Sequence, residues 1–284
     1  MSVLTFWMAV ILGIVQGVAE FLPISSSGHL SLLQHFFGME EPDSLYNILL
    51  HFATLAAVCA VYWRDVVDMI LEFFRGIAAL FSPREGQDRP PEGRRMVFLV
   101  LLGTLPLFAV LPFDDAVEGL GANPVFGSAM LLDTGCILFL SDRYGGGRKN
   151  ARTATVKDVL LVGAAQGFAT IPGLSRSGTT ISAGMALGFD RNFAVRYSFL
   201  MSLPAVFGAT LLKVVKVVKA GTLDTGLLPT YLTGMVVAGV VGYFSIRLVK
   251  LLAARGKFGR FAWYCWLAGA AALIASFLYT PAGA

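Results

Sequence analysis

The stretch "QGVAEFLPISSSGH", residues 16–29, places a carboxylate, three consecutive serines and a histidine inside an otherwise apolar run. A second stretch, "QGFATIPGLSRSGT" at residues 166–179, aligns with it without gaps at an offset of 150 residues. Six pairs of positions are identical: Gln16/Gln166, Gly17/Gly167, Ala19/Ala169, Ser25/Ser175, Ser27/Ser177 and Gly28/Gly178. The alignment predicts an internal duplication, with repeats at residues 1–145 and 150–284.

The composition indicates a membrane protein. Hydrophobic residues make up 56% of the chain and charged residues only 14%, whereas soluble domains carry about 25% charged residues. The net charge of +4 comes from basic residues in short loops, a distribution typical of membrane proteins. We therefore expect one integral-membrane domain over residues 1–284, surrounded by lipids, and no nucleic-acid partner.

The chain contains apolar segments long enough to span a membrane and shorter apolar segments that are interrupted. A spanning helix needs about 20 mostly apolar residues, and six segments qualify: 46–63, 95–112, 124–140, 194–214, 227–249 and 260–280. Residues 66–81 are apolar but carry charges, which favours an amphipathic helix. Residues 4–19 and 156–170 are too short to span and run into Pro, Gly and Ser. Paired interruptions of this kind predict two re-entrant helix–loop–helix units.

The predicted fold is an all-α polytopic membrane protein with an inverted-topology repeat. Each half holds one re-entrant unit and about three transmembrane helices, and an odd number of crossings inverts the second half. The basic loops 82–95, 141–158 and 250–260 then share one side, which the positive-inside rule makes cytoplasmic. The two re-entrant tips enter from opposite sides, so we expect Glu20 and His29 to face Arg176.

The two turns have the composition of an anion site. Gln16 and Glu20 are four residues apart and share a helix face, and Pro23 ends that helix. Turns rich in Ser, Thr and Gly that lead into helix starts present hydroxyl and N–H groups to an anion. The guanidinium of Arg176 pairs with phosphate oxygens through two parallel hydrogen bonds, so phosphate is the predicted ligand.

The motifs "QGVAEFLPISSSGH" and "PGLSRSGTT" resemble those of the undecaprenyl-pyrophosphate phosphatases, the bacitracin-resistance membrane proteins of bacteria. The resemblance extends over essentially the whole chain. It implies hydrolysis of undecaprenyl pyrophosphate to undecaprenyl phosphate and orthophosphate, which recycles the lipid carrier for peptidoglycan and other cell-wall polymers. It also implies a multi-pass protein of the bacterial cytoplasmic membrane, whose active site opens to the outer, periplasmic side.

The resemblance also implies residue roles. The catalytic residues would be Glu20, Ser26, His29 and Arg176, and the phosphate-binding residues Gln16, Ser25, Ser27, Ser175, Ser177, Gly178 and Thr180. Either Ser26 or His29 is the nucleophile. Glu20 is the base for Ser26 or a ligand to a divalent cation, Mg²⁺ or Ca²⁺, and we expect no organic cofactor. The family has Glu or Gln at the first motif position; with Gln16 here, Glu20 alone carries the charge.

Several alternatives stay open at this point. A secondary transporter or a lipid-phosphate flippase would use the same repeats and a midplane site. The sequence also allows a homodimer. We interpret His51, which lies within the first predicted span, as a packing residue.

Overall fold

The computed structural model describes residues 4–37, 44–81, 90–120, 123–144, 147–220 and 225–278. Within these ranges the backbone is helical, and a single isolated bridge joins Lys149 to Phe189. The α-helices in chain order are α1 (Phe6–Ala19), α2 (Ser26–Phe36), α3 (Ser44–Val61), α4 (Trp63–Phe81), α5 (Glu92–Thr104), α6 (Asp114–Leu120), α7 (Pro124–Tyr144), α8 (Val156–Phe168), α9 (Arg176–Ala186), α10 (Arg191–Ala220), α11 (Leu228–Ala254) and α12 (Phe261–Leu278). The all-α prediction is confirmed.

The long apolar helices coincide with the predicted spans. In the described ranges, five helical segments are long and apolar enough to cross a membrane: Glu92–Phe113, Val125–Arg143, Arg191–Lys216, Leu228–Ala254 and Phe258–Leu278. A sixth crossing arises if α3 and α4, which meet at a bend of 90°, are counted as one broken span. The chain is therefore a multi-pass membrane protein.

The bend between α3 and α4 separates a mostly apolar helix from an amphipathic one. Helix α4 contains the predicted amphipathic segment and exposes large apolar side chains, among them Ile70, Phe74 and Ile77. On its other side, Glu72 is buried and pairs with Arg75 and Arg94. An apolar face beside a charged face is typical of a helix that lies along a membrane surface.

The two repeat units have the same local structure. Thr5 caps the N-terminus of α1 by accepting a hydrogen bond from the Met8 amide, and Thr155, 150 residues later, caps α8 in a capping box with Asp158. Such caps satisfy amide groups that have no helical partner. Each unit then breaks, at Ala19 and at Phe168, within one residue of the equivalent position, and resumes at equivalent positions, α2 at Ser26 and α9 at Arg176. The inverted orientation of the two halves and their boundaries stay predictions.

The first helix of each unit packs on a helix of the other half through glycines. Helix α1 lies against α11 and α8 lies against α5. A Cβ atom at Gly17 would lie 2.7 Å from the carbonyl oxygen of Ala238 and 2.9 Å from the amide nitrogen of Gly242. Small residues allow this close backbone approach in membrane helix pairs. The packing fixes the position of α1, and with it Gln16 and Glu20.

We expect Gly17→Ala to lower the free energy of unfolding by about 1–3 kcal/mol, the usual cost of overpacking. The added methyl group must displace the backbone of α11, which is rigid. The measurement is thermal melting of the purified protein in detergent. Gly208→Ala, within α10, is the matched control, because a Cβ atom there meets no atom within 4 Å. Equal melting temperatures for the two variants would contradict this packing.

The basic loops gather at one end of the molecule. Arg95 donates hydrogen bonds to the carbonyl oxygens of Ala151 and Ala154, 2.7 and 2.8 Å away, and so joins the first loop to the second. Asp142 accepts a hydrogen bond of 2.7 Å from the amide of Gly259, which joins the second loop to the third. We call this the basic end; residues 82–89 of the first loop lie outside the described residues. That this end faces the cytoplasm stays a prediction.

Candidate active site

The breaks in the two units bring two short turns together. The first turn comprises residues 20–25, between α1 and α2, and the second comprises residues 169–175, between α8 and α9. In the first turn Ser25 has a φ of 68°, and in the second Gly173 has a φ of 94°. The left-handed region is unfavourable for serine, and such strained residues cluster at functional sites. The strained Ser25 directly precedes Ser26, the first residue of α2.

Glu20 is the centre of the polar contacts between the turns. Its Oε2 atom accepts hydrogen bonds from Ser26 Oγ at 2.8 Å and from Gln16 Nε2 at 3.1 Å. Its Oε1 atom accepts a hydrogen bond from the guanidinium of Arg176. Glu20 is only 8% exposed, and a buried carboxylate needs such partners because burial removes its hydration. The structure thus joins three predicted site residues, Glu20, Ser26 and Arg176, across the two halves.

The hydroxyl groups at the end of the second turn and in the first part of α9 form hydrogen bonds around the start of α9. Ser175 Oγ accepts a hydrogen bond of 3.1 Å from the amide of Gly178 and lies 3.3 Å from Ser177 Oγ. Thr180 Oγ1 donates to the carbonyl oxygen of Arg176 at 2.8 Å and lies 2.6 Å from Ser198 Oγ. These contacts hold α9 in place and so orient the Arg176 side chain. Their predicted role in binding phosphate directly stays a prediction.

The first turn repeats one of these contacts. Ser25 Oγ lies 3.4 Å from Ser27 Oγ, as Ser175 lies beside Ser177. Ser25 is buried, whereas Ser27 is exposed. Of the two serines, only Ser27 is exposed to solvent, and the predicted roles of both in binding phosphate stay predictions.

His29 does not contact Arg176, the partner that we expected for it. Its Nδ1–H donates to the carbonyl oxygen of Ser25 at 2.8 Å, because a carbonyl oxygen can only accept. Its Nε2 lies 2.7 Å from the hydroxyl oxygen of Tyr264, and the two rings stack with centroids 5.7 Å apart. In the neutral ring Nε2 is the atom with the free electron pair, so it accepts a hydrogen bond from the Tyr264 O–H. His29 differs from the prediction because Tyr264 of α12, a helix outside the two motifs, lies next to its ring.

A cavity of about 260 Å³ opens beside the Glu20–Arg176 pair. Its polar lining includes Glu20, Ser26, Ser27, Ser175 and Arg176, and His29 is not among the lining residues. Its apolar wall comes from α10 and from the 3₁₀ turn Leu105–Ala109 after α5, through Leu107, Ala205, Val206 and Ala209. A polar patch against an apolar wall suits an amphipathic molecule with an anionic head and a hydrocarbon tail.

Four polar atoms around this cavity are buried without a hydrogen-bond partner among the described residues. They are Gln16 Oε1, Gln166 Nε2, Gln166 Oε1 and Arg176 Nη1. Buried polar groups nearly always have hydrogen-bond partners in folded proteins, and a buried group without one often binds a ligand or water. Gln166 Nε2 and Arg176 Nη1 can donate hydrogen bonds to phosphate oxygens, whereas the two Oε1 atoms can only accept and would suit a proton donor or a cation.

Among the lining residues that the sequence did not predict, Gln166 and His51 carry nitrogen groups. Gln166 is the repeat equivalent of Gln16, so the internal alignment contained the signal for it. His51, interpreted above as a packing residue, lines the cavity instead, and its Nε2 lies 3.6 Å from Glu20 Oε2. Its Nδ1–H donates to the carbonyl oxygen of Asn47 at 2.8 Å, which leaves Nε2 directed at the carboxylate. No motif marks His51, because the packing of α3 alone brings it to Glu20.

The site offers few ligands for a metal ion. Among the described residues, no group of three or more His, Cys, Asp or Glu side chains lies close enough to hold a metal. Mg²⁺ is commonly held by one or two carboxylates together with substrate phosphates. Glu20 and the unpaired Gln16 Oε1 could supply two protein oxygens, so the residues fit a cation that binds together with a phosphate ligand.

The chain matches known proteins over almost its full length. The family model described as "Bacitracin resistance protein BacA" matches residues 9–271. A protein of Desulfosudis oleivorans named undecaprenyl-diphosphatase is 40% identical over 277 residues, which cover 93% of this chain and 96% of that protein. One from Desulfatibacillum aliphaticivorans with the same name is 39% identical over 96% of this chain and 99% of its own length. One from Methanosphaera stadtmanae, also named undecaprenyl-diphosphatase, is 37% identical over 94% and 97%. On this evidence the chain belongs to the bacitracin resistance protein BacA family.

Proposed function

We propose that this protein hydrolyses undecaprenyl pyrophosphate to undecaprenyl phosphate and orthophosphate. Relatives of 37 to 40% identity carry the name undecaprenyl-diphosphatase. The observation that carries the proposal is the hydrogen bond from Ser26 Oγ to Glu20 at the edge of a cavity that also exposes Arg176. A hydroxyl bonded to a carboxylate next to a guanidinium is the arrangement that phosphoryl transfer to a side chain requires.

The substrate would bind with its pyrophosphate between the two turns. Arg176 Nη1 has no partner among the described residues, so the guanidinium can bind a phosphate oxygen while Nη2 holds Glu20. The amide of Gln166 has free donor capacity as well. The apolar wall of α10 would receive the first part of the prenyl chain, and the remainder would lie in the lipid bilayer.

The reaction would proceed in two halves. Ser26 Oγ attacks the terminal phosphorus, its proton passes to Glu20, and the bond from that phosphorus to the bridging oxygen breaks, which releases undecaprenyl phosphate. Water then attacks the phosphoserine, the Oγ–P bond breaks, and Ser26 recovers its proton from Glu20 as orthophosphate leaves. Arg176 binds the non-bridging oxygens, where negative charge must be stabilised in the transition state.

His29 would have a supporting role in this scheme. Ser26 and His29 are three residues apart on α2 and so lie on one helix face. Both ring nitrogens of His29 are engaged, one by the Ser25 carbonyl and one by Tyr264. These contacts favour Ser26 as the nucleophile. His29 would donate a proton to the leaving phosphate from Nε2 in its doubly protonated form, after the ring turns from Tyr264. Nucleophilic attack by His29 is the alternative, and it too would require the ring to lose its contact with Tyr264.

A divalent cation, Mg²⁺ or Ca²⁺, would add charge stabilisation on the phosphates. Glu20 and Gln16 Oε1 would hold it together with phosphate oxygens of the substrate. We expect EDTA to lower phosphate release at least tenfold and excess Mg²⁺ or Ca²⁺ to restore it. The measurement is orthophosphate release in detergent, with magnesium–EDTA as the control for chelator effects on the micelle. Unchanged turnover in EDTA would contradict a cation requirement.

The position of the central cavity along the helices indicates the side of the membrane to which it would open. The lining residues Ala205 of α10 and Leu107 after α5 lie 14 and 15 residues from their helix starts at the basic end. At 1.5 Å per residue, the cavity is about 20 Å from that end. If the basic end faces the cytoplasm, the cavity lies beyond the membrane midplane and opens towards the outer side. In a bacterial cytoplasmic membrane, the protein would recycle the lipid carrier at the outer side and confer bacitracin resistance. A homodimer would be compatible with this arrangement.

Phosphate release from undecaprenyl pyrophosphate by the purified protein tests the proposed function. Turnover that continues through many equivalents of substrate per protein supports it. A transporter or flippase with the same fold would move the lipid across a vesicle membrane and release no orthophosphate. Lipid translocation without phosphate release would therefore overturn the proposal in favour of that alternative.

A further inference from the structure

A second cavity lies at the basic end. Its volume is about 690 Å³, and it forms where three elements meet: the α3–α4 bend, the start of α10 and the later part of α11. The polar residues that line it are Tyr62, Arg64, Asp65, Asn192, Arg196 and Lys250. None of them belongs to the site described above.

The lining of this basic-end cavity carries an excess of positive charge. Three of its residues are cationic, Arg64, Arg196 and Lys250, and one is a carboxylate, Asp65. Asp65 already pairs with Arg196, which also binds Glu92. Within the described residues neither Arg64 nor Lys250 forms an ion pair, and the Lys250 ammonium lies 4.8 Å above the Tyr62 ring. Two cations are therefore left for a ligand.

Two polar atoms of this cavity's residues are buried and unpaired. Tyr62 is only 4% exposed, and its hydroxyl has no hydrogen-bond partner among the described residues. The Nε–H of Arg196 has no acceptor there either. A buried donor without an acceptor is unfavourable unless a ligand supplies one. The Arg196 Nε–H can only donate and the Tyr62 hydroxyl can donate, so an acceptor would satisfy both groups, and the excess of positive charge around them favours an anion.

The position of the cavity indicates where such an anion comes from. The cavity opens at the 90° bend where α3 turns into the amphipathic helix α4. Trp63, at the start of α4, is 64% exposed, and tryptophan is enriched at the level of lipid headgroups. Basic pockets between transmembrane helices at this level bind anionic headgroups.

We propose that the basic-end cavity binds a phosphate group, supplied by an anionic lipid headgroup or by free orthophosphate. Arg64 and Lys250 provide the charge, and the Tyr62 O–H donates to a phosphate oxygen. Binding here would join α4 to α10 and α11 and stabilise the fold. The proposal is independent of the hydrolytic function, because it involves no residue of the central cavity.

The test measures ligand-dependent thermal melting of the full chain purified in neutral detergent. The probes are dioleoyl phosphatidic acid, dioleoyl phosphatidylcholine and sodium phosphate, each in a concentration series that gives an apparent Kd. The test variants are Tyr62→Phe and the double variant Arg64→Gln/Lys250→Gln. The matched control is Arg255→Gln/Arg260→Gln, which removes two exposed charges near the same end but does not touch the cavity. Native mass spectrometry counts the lipid molecules that each variant retains.

We expect phosphatidic acid, and not phosphatidylcholine, to raise the melting temperature of the unmodified protein. Arg64→Gln/Lys250→Gln should weaken this binding roughly tenfold to thirtyfold, since each basic residue near a charged headgroup contributes several-fold. Tyr62→Phe should weaken it less, and the control pair hardly at all, while phosphate release stays intact in every variant. Sodium phosphate producing the same Arg64- and Lys250-dependent shift would identify free phosphate as the source. Equal losses in the test and control pairs, or unchanged binding in the test pair, would overturn the proposal.

Discussion

Arg176→Lys is expected to lower phosphate release by roughly a hundred- to a thousandfold, the usual cost of losing a transition-state donor. Lysine keeps the charge but has no planar pair of donors. In the structure one donor of Arg176 holds Glu20, and Nη1 has no partner among the described residues. The three donors of an ammonium share one nitrogen, so lysine could not reach the carboxylate and the phosphate from the separate positions of the two guanidinium nitrogens.

The matched control is Arg75→Lys. Arg75 also pairs with a carboxylate, Glu72, but it is exposed and lies outside the central cavity. Its replacement should leave turnover within about twofold, since exposed ion pairs contribute little. Turnover of Arg176→Lys close to that of the unmodified protein, with normal melting of both variants, would mean that Arg176 serves only as the counter-charge of Glu20.

The duplicated motif predicts the centre of the site because it sets local structure in both halves. The breaks after Ala19 and Phe168 follow from a proline in each turn, and the restarts at Ser26 and Arg176 follow from Ser and Gly at equivalent positions. Helical spacing then places Gln16 beside Glu20, and the structure shows the hydrogen bond between them. The contact of Glu20 with Arg176 required only that the two turns meet.

The same motif could not predict the contacts that His29 and Glu20 make with residues outside it. Periodicity tells which face of α2 carries His29, but the identity of the facing side chain depends on how α12 packs, which brings Tyr264 to it. His51 reaches Glu20 for a similar reason, through the packing of α3. Such contacts join residues distant in the chain and leave no local pattern in a single sequence.

Losses of turnover at least as large as that of Arg176→Lys are expected at Glu20 and Ser26. Glu20→Gln cannot take the proton of the attacking hydroxyl, and Ser26→Ala has no hydroxyl to attack. General-base catalysis typically contributes a hundred- to ten-thousandfold, so each variant should lose at least a hundredfold in phosphate release. Ser31→Ala, an exposed serine on the same helix, is the matched control and should retain full activity.

The double variant Glu20→Gln/Ser26→Ala tells whether the two residues act as one unit. If Glu20 is the base for Ser26, removing Ser26 leaves Glu20 with nothing to activate, so the double variant should be little worse than Ser26→Ala. If instead their losses multiply, the 2.8 Å hydrogen bond between them serves the fold and not the proton transfer. His29→Asn provides the contrast, because attack by His29 requires that this variant be inactive while Ser26→Ala still turns over. Thermal melting of each variant separates these outcomes from unfolding, since Glu20→Gln leaves the Arg176 guanidinium without its buried counter-charge and should lower the melting temperature more than Ser26→Ala does.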